Sequence, residues 1–205
     1  MSSHKVVVLG GTGVGKTSFV NVVCSRSDAM PSSTVGCCVS VFPHQYRAGS
    51  SMEQTELIEL WDIGGSSVHR AASSVFLEGA EGVILVYDLS NKKSEESLAQ
   101  WAALLRGSLS PSPSLLPTSI SPSLRPLFSD VERAPLPTLL VGCKLDLAPH
   151  RMHKMSPDGI TLDCRSPITP GSNNRIVLSN FFDSVIDATR APSRILDRRR
   201  RMPQP

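Results

Sequence analysis

The sequence predicts an α/β fold, a mostly parallel sheet with helices on both faces, and three observations carry that prediction. A β-branched run at Val6–Leu9 breaks into glycines and continues as an apolar-periodic helix. A second run, "GVILVYD" (Gly82–Asp88), is apolar almost throughout, as a central parallel strand covered on both faces must be. Strand-like and helix-like segments then alternate along most of the chain, which is the pattern of a parallel sheet with crossover helices.

Taken in order, Val6–Leu9 is a first buried strand and Lys16–Cys24 a helix. Val35–Phe42 and Glu56–Trp61 read as two strands joined by a polar hairpin. After Gly82–Asp88, Ser94 is placed to cap a helix whose first turn holds Glu95 and Glu96, where acidic groups suit the helix dipole. Leu98, Trp101, Leu104 and Leu105 share one face of that helical region. "TLLVGC" (Thr138–Cys143) is another buried strand, and Val177, Leu178, Phe181, Phe182, Val185 and Ile186 form a helical stripe near the end. Two segments resist this scheme. Between 107 and 137 the composition collapses into Ser, Pro and Leu, and seven prolines there remove donors and forbid a helix of any length. That segment is expected to be a Ser/Pro-rich disordered insertion. Leu147–Gly159 has no amphipathic period and leaves room only for a rudimentary helix in a crossover of about a dozen residues.

A chain of 205 residues suits one well-buried domain. The expected organisation is a single domain over 1–191, interrupted by 107–137, and a basic tail at 192–205. No apolar run approaches the ~20 residues that span a bilayer. The first apolar run flows into glycines rather than a cleavage site, so a cytoplasmic protein is expected. The 5 cysteines lack a paired C-x-x-C pattern, which argues against a zinc site and for reduced thiols. The formal charge of +3 sits largely in the tail, and no nucleic-acid partner is expected. Arg198–Arg201 would attract anionic lipid only weakly and in a salt-sensitive way. No cysteine follows Cys164, so neither C-terminal prenylation nor a stable membrane anchor is expected.

The chemistry begins at "GGTGVGKT", which satisfies G-x-x-x-x-G-K-[ST] from Gly10 to Thr17. Glycines at 10, 13 and 15 let the main chain reach phosphate oxygens without Cβ clashes. Successive amides then form an anion nest at a helix N-terminus. Gly13, Val14, Gly15, Lys16, Thr17 and Ser18 are the expected phosphate-binding segment. Lys16 would neutralise the outer phosphates, and the Thr17 hydroxyl would ligate Mg²⁺. A chance glycine turn is the bland alternative, and the strand before it and helix after it argue against that.

A phosphate loop alone does not choose between GTPase, kinase and ATPase. "STVGCCV", "ELWDIGG", "GCKLD" and "LDCRSP" do, and on them the chain resembles the Ras-like small GTPases, more narrowly their Rab-like branch, over nearly everything but the insertion and the tail. The resemblance implies a P-loop NTPase fold, a Ras-like G domain, with GTP or GDP and Mg²⁺ as its ligands. Thr34 would ligate Mg²⁺ and sense the γ-phosphate, Asp62 would hold Mg²⁺ through a water, and the Gly65 amide would touch the γ-phosphate. Asp146 would accept the guanine N1 and N2 hydrogens, the Lys144 stem would lie across the base, and the Cys164 amide would meet the guanine oxygen. The nucleotide-binding set is thus Gly13, Val14, Gly15, Lys16, Thr17, Ser18, Thr34, Gly65, Lys144, Asp146 and Cys164; the metal set is Thr17, Thr34 and Asp62.

The chain departs from the family pattern at three places. Cys143 stands where the family has an asparagine that ties the base loop to the phosphate loop, which implies weaker affinity rather than altered specificity. Asp163-Cys164-Arg165 replaces Ser-Ala-Lys; the Asp163 carboxylate has no proton to donate, and Arg165 either supports the pocket or is simply solvated. Ser66 occupies the place of the glutamine that orients the attacking water. No catalytic residue is assigned, His69 being a poor substitute, and intrinsic hydrolysis is expected to be slow. Cys37 and Cys38 read as small strand residues, at least one of them buried, rather than a redox pair. Ser110, Ser112 and Ser121 precede prolines, but a filler insertion explains them as well as phosphorylation does.

The functional expectation is a guanine-nucleotide-dependent switch whose two switch loops present a surface to protein effectors or small-GTPase chaperones. The resemblance further implies a homodimer and a role in small-GTPase trafficking or prenylation. The alternative is a GTP-binding scaffold that keeps the fold and does not cycle. A small P-loop kinase would need a lid and a second substrate site, for which "RMHKMSP" is too short.

Overall fold

The computed structural model describes residues 1–26, 31–66, 74–108, 136–154 and 159–190. The stretch 109–135, which holds most of the expected insertion with Ser110, Ser112 and Ser121, lies outside the described residues, as do His69 and the basic tail.

Six strands form one sheet in the order β2-β3-β1-β4-β5-β6. They are β1 (Ser3–Leu9), β2 (Cys37–Tyr46), β3 (Gln54–Ile63), β4 (Gly82–Asp88), β5 (Thr138–Cys143) and β6 (Gly159–Thr161). Only β2 runs antiparallel, pairing β3 from Cys37 opposite Ile63 to Tyr46 opposite Gln54; every other pair is parallel. The helices are α1 (Lys16–Val23), α2 (Ser74–Leu77), α3 (Lys92–Glu96), α4 (Leu98–Ser108) and α5 (Asn173–Arg190).

Strand periodicity divides the core into two layers. In β1, Val6 and Val8 point to the side of α1 and α5, where they join Phe19, Val20, Leu178, Phe182 and Val185. Val7 and Leu9 point the other way, to Leu77, Leu98, Trp101 and Leu105. β4 repeats the division, with Ile84 and Val86 on the first side and Val83 and Leu85 on the second. Both faces of these strands are dry, which is why their sequences read as continuous apolar runs.

The α/β sheet, the closing helical stripe and the apolar face of α4 are found as the sequence predicts. Four readings change. The helix after β4 is capped by Asn91, whose side chain accepts from the Lys93 amide, not by Ser94. Ser94 is buried; its hydroxyl accepts from the Asp88 amide at 2.9 Å and donates to the Asn91 carbonyl at 2.6 Å. β2 starts at Cys37, leaving Val35 outside the ladder and exposed, because Gly36 turns the chain there with φ 71°. Neither Cys37 nor Cys38 is fully buried: β2 is an edge strand, and Cys38 faces solvent. β6 has no apolar run to announce it; three residues suffice because Leu140–Gly142 of β5 supplies the ladder. The crossover before it holds only two short 3-10 turns, Leu145–Leu147 and Pro149–Lys154, matching the rudimentary helix expected there.

Candidate functional site

β1 lies between β3 and β4; the chain leaves it through α1 for the β2–β3 side and later continues from β4 to β5 on the other side, so a crevice opens beyond the carboxyl end of β1, the usual ligand position in such sheets. The glycine-rich loop fills the floor of that crevice. Gly15 caps α1 in a left-handed conformation, φ 108°, and a Cβ there would lie 3.0 Å from the Cβ of Cys143. Glycine is therefore required twice, by torsion and by space. Lys16 is 6% exposed, and its Nζ donates to the Gly10 and Gly11 carbonyls at 3.1 and 2.9 Å. Burial holds its pKa below the usual lysine value, with nearby Asp62 pulling the other way. An ammonium so placed gains from an incoming anion.

Beside it, Thr17 Oγ1 donates to Asp62 Oδ2 at 2.6 Å, and Thr34 Oγ1 reaches the same oxygen at 3.1 Å. The two hydroxyls lie 3.1 Å apart. Three segments distant in sequence thus converge on one carboxylate, because α1 begins, and β3 ends, at the same edge of the crevice. Asp62 is 1% exposed, and its other oxygen, Oδ1, is buried with no hydrogen-bond partner. Burial raises its pKa, against the opposing effects of Thr17, Lys16 and Thr34. A buried carboxylate with an unsatisfied oxygen and two adjacent hydroxyls is a hard-oxygen set that fits Mg²⁺.

The segment after β3 closes over this group. The Gly64 amide donates to the Gly36 carbonyl at 2.8 Å, extending the β2–β3 ladder and bringing the Thr34 and Gly65 segments to one end of the sheet. Gly65 presses on the glycine loop so closely that a Cβ would lie 2.4 Å from the Gly11 carbonyl carbon and 2.6 Å from Lys16 Nζ. A cavity of about 340 Å³ results, lined in part by Gly13, Gly15, Lys16, Thr17, Ser18, Thr34, Gly65, Ser66 and Lys144. Val14 lies in the core beneath it, 4% exposed.

On the β5 side the arrangement is partly unexpected. Lys144 sits at φ 60°, and its Nζ pairs with Asp88 Oδ2 at 2.8 Å. Burial works against the Asp88 charge, but Lys144 and Ser90 outweigh it and hold the carboxyl below the ordinary aspartate value. Asp146 and Cys164 are not among the residues lining the cavity. The Asp146 carboxylate faces Arg165 Nη1 at 3.4 Å, while Arg165 also bonds Asp163 through Nε at 2.9 Å and Nη2 at 2.8 Å. Arg165 thereby keeps two carboxylates on one side of the base loop. Cys143 packs on Gly15, with Sγ 3.9 Å from the Gly15 carbonyl, and contacts Cys164 Sγ at 3.7 Å. Sequence reasoning missed Asp88 and the packing role of Cys143. A charged residue at the carboxyl end of a buried parallel strand is the signal that points to Asp88.

Residues 5–117 match the family model described as "Ras of Complex, Roc, domain of DAPkinase". The chain is 40% identical over 223 residues to Rab-like protein 3 of Danio rerio, covering 96% of this chain and 93% of the relative. It is 38% identical over 208 residues to Rab-like protein 3 of Homo sapiens, with 89% and 84% covered. It is also 33% identical over 156 residues to small GTPase LIP1 of Arabidopsis thaliana, covering 70% of this chain and 42% of that one. With the phosphate loop, the crevice and the sheet order already in place, these likenesses have one meaning: the chain belongs to the Ras-like small GTPases, in their Rab-like branch.

Proposed function

We propose that this chain is a guanine-nucleotide switch with slow intrinsic GTP hydrolysis. The observation that carries the reading is the convergence of Thr17, Thr34 and the buried Asp62 beside Lys16 in one crevice. In it, the amides from Gly13 to Ser18 and the Lys16 ammonium hold the phosphates. Thr17, Thr34 and Asp62 would hold Mg²⁺, which supplies charge neutralisation between the phosphate oxygens when bound. Thr34 and Gly65 belong to the two segments that a γ-phosphate would order and its loss would release, changing the surface offered to effectors.

Base selection falls to Asp146, with the Lys144 stem along the base and the Cys164 amide at the guanine oxygen. For that, the Asp146 carboxylate must turn from Arg165 to the base, and Arg165 is exposed enough to yield. Ser66, beside Gly65 at the cavity wall, is too short to orient water and transition state together, so turnover is slow. A homodimer and a role in small-GTPase trafficking or prenylation belong to the same reading and rest on the resemblance alone; a cytoplasmic location rests on the reading of the first apolar run as a strand. Among the described residues, no helix is long and apolar enough to cross a membrane.

A second reading, a GTP-binding scaffold that does not cycle, is favoured by Ser66 and by the Arg165 contact on Asp146. Single-turnover hydrolysis separates the two. The switch reading expects a rate above that of protein-free GTP and a further rise in Ser66→Gln. A wild-type rate equal to the protein-free one rejects cycling without a partner and supports the scaffold.

A further inference from the structure

Two thiols meet at the junction of the glycine loop and the base loops. Cys143 ends β5 at 1% exposure, and Cys164 lies in the turn after β6, half-buried against the same core. Their Sγ atoms are 3.7 Å apart. The segments that carry them are already joined by main-chain bonds, Leu162 N to Gly142 O at 2.8 Å and Leu145 N to Leu162 O at 3.1 Å. The sulfurs must close to the roughly 2 Å of an S–S bond.

We propose that Cys143 and Cys164 form a reversible disulfide, an oxidative modification site whose oxidant is hydrogen peroxide and whose effect is to slow nucleotide release. The effect on nucleotide rests on the reading above; formation of the bond does not. Cys164, the more accessible thiol, reacts first. Its thiolate displaces hydroxide from the peroxide O–O bond, giving a sulfenic acid and, with one proton, water. Cys143 sulfur then attacks the sulfenic sulfur; the S–O bond breaks, and the departing hydroxide leaves as water with the Cys143 proton. Two thiols lose two hydrogens, and peroxide becomes two waters. The hydrogen-bonding contact with Cys164, and burial after it, hold the Cys143 thiol protonated, which leaves the first step to Cys164; in the second step Cys143 must pass its proton to the departing hydroxide as its sulfur attacks.

The consequence follows from what each cysteine touches. The Cys143 Cβ and Sγ face Gly15, the residue that caps α1 at the phosphate loop. The Cys164 main chain is where the guanine oxygen is expected. In the reduced chain a thiol contact alone joins these two side chains. Oxidation replaces that contact by a covalent bond, so the β5 end that packs on Gly15 and the base turn move as one unit. Fixing a binding loop in place favours retention.

The test uses the full chain, reduced and then treated with hydrogen peroxide, with thioredoxin or dithiothreitol to reverse it. Peptide mapping is expected to find a Cys143–Cys164 link, and a fluorescent GDP is expected to leave at least about threefold more slowly than from the reduced chain. Cys143→Ser and Cys164→Ser, each compared with its own reduced form, should lose both effects. Peroxide that oxidises Cys37 or Cys38 while leaving Cys143 and Cys164 unlinked overturns the site. A link that leaves the GDP off-rate unchanged overturns its effect. If no guanine nucleotide binds, the switch reading fails and the effect with it, while the mapping still decides whether the disulfide forms.

Discussion

Gly65→Ala is the substitution whose outcome the geometry fixes most tightly. The added Cβ would fall 2.4 Å from the Gly11 carbonyl carbon, 2.5 Å from its oxygen and 2.6 Å from Lys16 Nζ. Unstrained carbon contacts lie near 3.5 Å, so something must move by about 1 Å. Two of the three obstacles are main-chain atoms of the glycine loop, whose carbonyl at Gly11 is also a Lys16 acceptor at 2.9 Å. Overpacking of this size costs about 1–3 kcal/mol, a fall in melting temperature of roughly 3–10 °C for a domain of this length. The strain is relieved most easily by lifting the Gly65 segment away from the loop. On the proposed reading a triphosphate needs both the loop and the Gly65 amide and should then lose about tenfold in affinity, while a diphosphate needs only the loop and loses much less. Competition of GDP and a non-hydrolysable GTP analogue against a fluorescent nucleotide, with a melting curve for each protein, measures both. An alanine variant with wild-type melting and an unchanged triphosphate-to-diphosphate ratio would refute the contact between the Gly65 segment and the phosphate loop.

Other outcomes follow from the same structure. Lys16→Ala should abolish nucleotide binding in an equilibrium titration yet leave the free chain close to wild-type stability, because burial already disfavours this ammonium. Arg190→Ala removes the charged partner of the buried Glu56 carboxylate, leaving it the Ser2 amide, and should cost about 1–2 kcal/mol in urea unfolding, discounted for the exposed guanidinium, with nucleotide affinity unchanged. Burial, then the neighbouring Asp62 and Cys38, push the Cys37 thiol up to about 11. Because only the thiolate reacts, alkylation of Cys37 followed by peptide mapping should rise about tenfold per pH unit and level off only near pH 11.

Most of the architecture was legible because the two central strands are dry on both faces. A strand such as Gly82–Asp88 cannot be written in any other alphabet, and the stripe of α5 is fixed by the face it turns to the same core. What escaped was local. β6 is a strand because β5 presents a ladder to it, a fact about its neighbour and not about Gly159–Thr161. Ser94 and Asn91 both suit a cap, and only the hydroxyl's bond to the Asp88 amide shows that Ser94 belongs inside. In the site, the phosphate loop declares itself because glycine torsions and close approach demand particular residues at fixed spacing. The contacts of Arg165 with Asp146 and of Cys143 with Cys164 join side chains 19 and 21 positions apart, and no local pattern encodes them.

The central claim is that one crevice grips a guanine nucleotide together with Mg²⁺. Its most direct measurement is the off-rate of fluorescent GDP from the stripped and reloaded chain, with and without Mg²⁺, chased by unlabelled GDP or ADP. Faster release on chelation, with displacement by GDP and not by ADP, is the result expected, and Asp146→Ala should erase the difference between the two purines. Release indifferent to Mg²⁺, or equal displacement by ADP in the unaltered chain, would contradict it.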